Sequence, residues 1–94
     1  MADFLTDLQS LLQSRKEQQP EGSYSVTLVT DPVAAQRKIM EEAFEVCLEL
    51  GAANVDTSRA ACEAADLVFH LLAGLVGAGI TWEQVLAELA SRRH

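Results

Sequence analysis

The chain of 94 residues has room for one domain and is too short for two. Fourteen acidic residues against seven basic ones leave a net charge of −7 and no basic face, which excludes reading a nucleic-acid backbone. Its 49% apolar content includes only 5% aromatic, a composition for helices and not for sheets.

Residues Ala2 to about Glu17 place Phe4, Leu5, Leu8, Leu11 and Leu12 at helical spacing. Asp3 suits the N-terminal end of that helix, and Arg15 and Lys16 suit its C-terminal end, before Gln18-Gln19-Pro20-Glu21-Gly22 breaks it. Ser23 to Val29 has strand-like residue types, yet nothing else in the chain could pair with it as a strand. It is expected to form an ordered loop or a short helical turn that packs Tyr24, Leu28 and Val29 onto the helices. Thr30-Asp31-Pro32 opens a second helix, with a capping residue before Pro at the first helical position, and Gly51 stops it after Leu50.

Asn54 to Ser58 offers several N-caps for a third helix, which extends to about Gly77. Its apolar residues run nearly all the way round, so burial on most sides is expected, more than a monomer of this size supplies. Thr81-Trp82-Glu83-Gln84 matches a capping box and opens a last helix with Val85, Leu86 and Leu89 inward and Arg92-Arg93 at its end. Trp82 and Phe69 are expected in the core or at a dimer contact. The sum is an all-α chain of four helices, a single domain over residues 1–94, forming an antiparallel helical bundle completed by homodimerisation.

Cys47 and Cys62 lie in helical patterns without metal-ligand spacing and read as two buried free thiols. No basic segment followed by an apolar run opens the chain, and the longest uncharged stretch, Leu67 to Trp82, is shorter than a membrane span. A soluble, cytoplasmic protein with no membrane partner is expected.

The chemistry concentrates in two places. On a helix, Lys38, Glu41, Glu42, Glu45 and Glu49 fall within one sector of roughly 100°. Arg59, Glu63, Asp66 and His70, spaced 4, 3 and 4, make one polar line on the next long helix. Glu41 with Glu45, Glu42 with Glu45, and Glu63 with Asp66 are pairs of like charge, each costing a few tenths of a kcal/mol on a bare helix. Folding does not ask for them, but a hard divalent cation does: Mg²⁺ takes carboxylate oxygens, with water and substrate phosphate completing its shell.

The pattern therefore suggests Mg²⁺, with Mn²⁺ as a possible substitute, on Glu41, Glu42, Glu45, Glu63 and Asp66, receiving a phosphorylated nucleotide. Arg15, Lys16, Arg37, Lys38 and Arg59 are the candidate phosphate partners. Glu49 lies outside the motif and reads as surface. Lys38 also has Glu42 or Glu45 to pair with, and Arg59 has Glu63. His70 reads as a core histidine held by hydrogen bonds rather than as a metal ligand.

Glu41-Glu42-x-x-Glu45, a 17-residue interval, then Glu63-x-x-Asp66 resembles the signature of the all-α nucleoside triphosphate pyrophosphohydrolases. Further matches narrow this: Arg15, Gly22-Ser23-Tyr24-Ser25, Lys38-Ile39, Asp66-Leu67-Val68-Phe69-His70-Leu71-Leu72 and Val85-x-x-Glu88-Leu89-x-x-Arg92. With them, nearly the whole chain resembles the phosphoribosyl-ATP pyrophosphohydrolases of histidine biosynthesis. Met40 stands where that family usually has Gly, and Thr27 where a Lys commonly follows the Ser-Tyr loop.

The resemblance implies hydrolysis of phosphoribosyl-ATP to phosphoribosyl-AMP and pyrophosphate by a helical dimer with Mg²⁺ on the acidic residues. It implies Glu42 and Glu45 as catalytic residues, and Arg15, Ser23, Tyr24, Lys38 and Arg59 as substrate-binding ones. Two rival readings are a house-cleaning dNTP pyrophosphohydrolase of the same superfamily and a non-catalytic helical dimerisation module.

Overall fold

The computed structural model describes residues 2–92, and of residues 2 and 3 the backbone only, so the expected roles of Asp3 and Arg93 at helix ends lie outside the described residues. The order is α1 (Ala2–Gln18), α2 (Tyr24–Thr30), α3 (Pro32–Leu50), α4 (Thr57–Gly77) and α5 (Trp82–Arg92), with no strand among the described residues. The fold is all-α, with five helices in place of the four expected.

The extra one is α2, built from the strand-like run after Gly22. Leu28 and Val29 decide it: these sequence neighbours are both buried, whereas strand alternation would send them to opposite faces. They join Leu12 from α1 and Leu72, Ala73 and Val76 from α4 in one core, with Leu8, Phe69 and Trp82 packed against it. Contact between α2 and α4 is close, since a Cβ on Gly77 would stand 2.9 Å from the Val29 carbonyl oxygen. Tyr24 packs less than expected and is 55% exposed.

The capping chemistry read from sequence is in place. Asp31 accepts from the amides of Val33 and Ala34 at 3.1 and 3.4 Å, with Pro32 as the first helical residue. Asp56 accepts from Arg59 N at 3.1 Å. Thr81 and Gln84 form the reciprocal box, the Thr81 amide donating to Gln84 Oε1 at 2.8 Å and the Gln84 amide to Thr81 Oγ1 at 3.2 Å. Lys16 leaves its own helix end and caps α4, donating to the carbonyls of Gly77 at 3.0 Å and Val76 at 3.4 Å.

Helices α3 and α4 run antiparallel: Arg59 near the start of α4 pairs with Glu49 near the end of α3, and Gly74 lies against Ile39. Only the second half of α4 is buried, at His70, Leu72, Ala73 and Val76, because α1 and α2 cover that half alone. The first half exposes Ala61, Cys62, Ala65 and Asp66. Both free cysteines are consequently exposed and not buried, Cys62 on this bare half and Cys47 on the outer side of α3. By length and composition α4 is long and apolar enough to cross a membrane, although the longest uncharged stretch, Leu67 to Trp82, is shorter than a span. Glu63 and Asp66 sit within it, and burying ionised carboxylates in hydrocarbon is costly.

Helix α5 keeps its apolar side exposed at Leu86 and Leu89, against the inward placement expected, because it is fastened only near its start. There the buried Gln9 accepts from the Trp82 amide at 2.6 Å and donates to Glu83 Oε1 at 3.1 Å. The Gln9 hydrogen bond first, then Glu83's own backbone amide and Thr6, hold the Glu83 carboxyl below its ordinary range. Gln9→Ala should lower unfolding free energy by about 1–3 kcal/mol, since it leaves the Trp82 N–H without its partner. Urea titration followed by circular dichroism measures this, and an unchanged midpoint would show the clamp to be dispensable.

Candidate active site

The acidic face of α3 and the polar line of α4 meet where the two helices leave the core. Short caps at Asp31 and Asp56 set where each helix begins, and the antiparallel register then puts Glu45 and Glu42 across from Glu63. One oxygen from each of Glu42, Glu45 and Glu63 lies within 4.8 Å of the others. Glu42 is only 6% exposed, and its Oε2 and that of Glu63 are both shut off from solvent with no hydrogen-bond partner. Buried carboxylate oxygens without partners are expensive, and a cation is the ordinary remedy.

Electrostatics agree with the geometry. The Glu63 carboxyl is pushed above its usual range, first by a hydrogen bond to Glu45, then by burial and by the charges of Glu45, Asp66 and Glu42. Lys38 is the nearby counter-charge, 3.2 Å from Glu41 and 3.7 Å from Glu42. Its ammonium is held charged above its ordinary range, mainly by the Glu41 hydrogen bond, with Tyr24 and Glu42 among the smaller causes. Three hard carboxylates that bring an oxygen each within 4.8 Å of the others, two of them also carrying an orphaned oxygen, fit Mg²⁺ or Mn²⁺.

The other expected residues are distributed around this centre. Glu41 is exposed and tied to Lys38, and Asp66 is exposed at the margin, acting on Glu63 through its charge. Arg59 pairs with Glu49 at 3.3 Å and not with Glu63, so Glu49 is no idle surface acid. Ser23 caps α2 in extended conformation without using its hydroxyl, and Tyr24 begins that helix. Arg15 is half-buried with no hydrogen bond or ion pair to its guanidinium among the described residues. Lys16 is consumed by the end of α4, and Arg37 stands exposed. His70 is buried and hydrogen-bonded on both nitrogens, to Tyr24 and to the Asp66 carbonyl. Met40, 70% exposed on the far side of α3, touches none of this.

A family model described as phosphoribosyl-ATP pyrophosphohydrolase matches residues 5–93. The chain belongs to that family. It is 40% identical over 97 residues to a phosphoribosyl-ATP pyrophosphatase of Halobacterium salinarum, covering 99% of this chain and 100% of the relative. Another of that name, from Pelotomaculum thermopropionicum, is 42% identical over 95 residues, covering 98% of this chain and 93% of the relative. The histidine biosynthesis bifunctional protein HisIE of Pasteurella multocida is 41% identical over 93 residues, 95% of this chain and 44% of that longer protein. No solved structure matches.

The crowding of acids in this family member has a cost that depends on pH. A carboxyl raised in the folded state binds its proton more tightly there than in the unfolded chain, so stability falls as pH rises from about 4.5 through the raised value of Glu63. The metal-free protein should therefore melt at lower temperature at neutral pH than in mild acid. Glu63→Gln should raise the neutral-pH melting temperature and flatten the slope, as read by calorimetry in chelator; a steeper slope would place the strain elsewhere.

Proposed function

We propose that this chain hydrolyses phosphoribosyl-ATP to phosphoribosyl-AMP and pyrophosphate in histidine biosynthesis, as a homodimer with Mg²⁺ or Mn²⁺ at its carboxylates. Membership of the pyrophosphohydrolase family supports the reaction. The observation that carries the site is the convergence of Glu42, Glu45 and Glu63 with two orphaned oxygens.

In this reading Glu42 and Glu63 hold the cation, helped by Glu41, Glu45 and Asp66. When bound, Mg²⁺ neutralises phosphate charge and makes the phosphoric anhydride more open to attack. Glu42 and Glu45 are also the carboxylates assigned to water: one orients it and accepts its proton as its oxygen joins phosphorus and the bond between the α and β phosphates breaks. Lys38, held by Glu41 and Glu42, stands ready for a phosphate oxygen at the edge of the acids. Arg15 is free to pair with phosphate, and Arg59 is available only by leaving Glu49. Ser23 offers its unspent hydroxyl and Tyr24 its ring and hydroxyl.

The dimer is supported by an outer face of α3 that the chain leaves bare: Val33, Met40, Phe44 and Leu48 are each more than half exposed, at helical spacing. Met40, in place of the family's usual Gly, adds to this stripe and lies away from the acids.

Purified protein with Mg²⁺ should release pyrophosphate from phosphoribosyl-ATP and prefer it to any dNTP. Glu42→Gln and Asp66→Asn should each reduce turnover on the order of 100-fold without loss of helicity. Preference for dNTPs would instead favour the house-cleaning reading. Phe44→Glu should convert the dimer to monomer in sedimentation equilibrium, and an unchanged mass would remove this face from the interface.

A further inference from the structure

The proposed reaction gives no part to His70, a buried imidazole one turn beyond Asp66. Its bonds define its state. The Asp66 carbonyl oxygen, 2.7 Å from Nδ1, can only accept, so Nδ1 carries the hydrogen. In the neutral imidazole Nε2 is then the lone-pair nitrogen, and the Tyr24 hydroxyl donates to it at 2.9 Å. The ring is held edge-on by Phe69 and Tyr24, with centroids 5.2 and 5.9 Å away.

Tyr24 needs this support. More than half exposed and the first residue of a seven-residue helix, it has little packing to orient it. Its hydroxyl bond crosses 46 positions of sequence to a residue 7% exposed on a long, well-packed helix. Tyr24 is also among the smaller influences that raise the Lys38 ammonium, the cation that pairs with Glu41 and Glu42, so the bond fixes the α2 corner on the side of that cation.

We infer that His70 is a positioning residue, whose Nε2 anchors the Tyr24 hydroxyl and so holds the Ser23–Tyr24 corner against α4, facing the nucleotide beside Lys38. This rests on the reaction proposed above for the arrival of a nucleotide there. A histidine that merely filled space would leave Tyr24 indifferent to it.

Losing one hydrogen bond to an oriented side chain should raise KM for phosphoribosyl-ATP about five- to tenfold, with kcat within about twofold. Tyr24→Phe and His70→Leu should each do this, and the double variant should do no more than either alone. His70→Gln, whose Oε1 can accept near the Nε2 position, should keep KM within about twofold of the unaltered protein. Nitrogen NMR of the unaltered protein should show His70 with hydrogen on Nδ1 and a lone pair on Nε2, a readout that needs no turnover.

Hydrogen on Nε2, additive KM effects, or lost kcat and stability with unchanged KM would each assign His70 to packing and overturn the inference while the reaction stands. An unaltered protein that shows the expected tautomer but releases no pyrophosphate would overturn the reaction, and with it the nucleotide-facing role.

Discussion

Three carboxylates held within 4.8 Å of one another, two with an oxygen cut off from water, are the constraint around which this fold is arranged. Like charges at such separations repel, and in a region poorer in water than bulk the repulsion strengthens. The helices that carry them do not draw their cohesion from the site. Leu12, Leu28, Val29, Leu72, Ala73 and Val76 form the core at the other half of α4, leaving the acidic half of the α3–α4 pair as an overhang whose strain the core absorbs. The raised Glu63 carboxyl is the imprint of that strain.

The cations show how little positive charge the site keeps for a substrate. Lys16 is spent on the carbonyls that end α4, Arg59 on Glu49, and Lys38 is shared between Glu41 and Glu42. Arg15 and Arg37 remain outside these pairings, and the divalent cation proposed for the carboxylates would add to them in receiving a polyphosphate. The side opposite the acids tells a parallel story. Val33, Met40, Phe44 and Leu48 on α3, and Leu86 and Leu89 on α5, are apolar residues that the chain by itself does not cover. Helix α3 thus carries chemistry on one side and unfinished burial on another.

Much of this was legible in the residues. Helix boundaries at Pro32, Gly51, Gly77 and Trp82 followed from caps and breakers, whose effects are local and hold whatever the tertiary context. The acidic constellation was visible because three- and four-residue spacings on a helix put side chains on one face. Local rules failed where distant contacts decided. The strand-like stretch from Ser23 to Val29, expected as a loop or a short helical turn, is the helix α2 because Leu28 and Val29 had a core to enter together. Cys47, Cys62, Leu86 and Leu89 were expected inward because periodicity tells which residues share a face, not whether anything covers it.

The sequence by itself determined the helical class, the helix ends, the acidic faces and the family. These depend on side-chain type and on spacing within a single turn or two. Only the tertiary structure decided that Glu42, Glu45 and Glu63 converge while Glu41 and Asp66 stand at the margin. It also paired Arg59 with Glu49, set Lys16 on α4 and brought Tyr24 to His70. Each of those outcomes turns on the register between two helices or on residues tens of positions apart, which no local periodicity encodes.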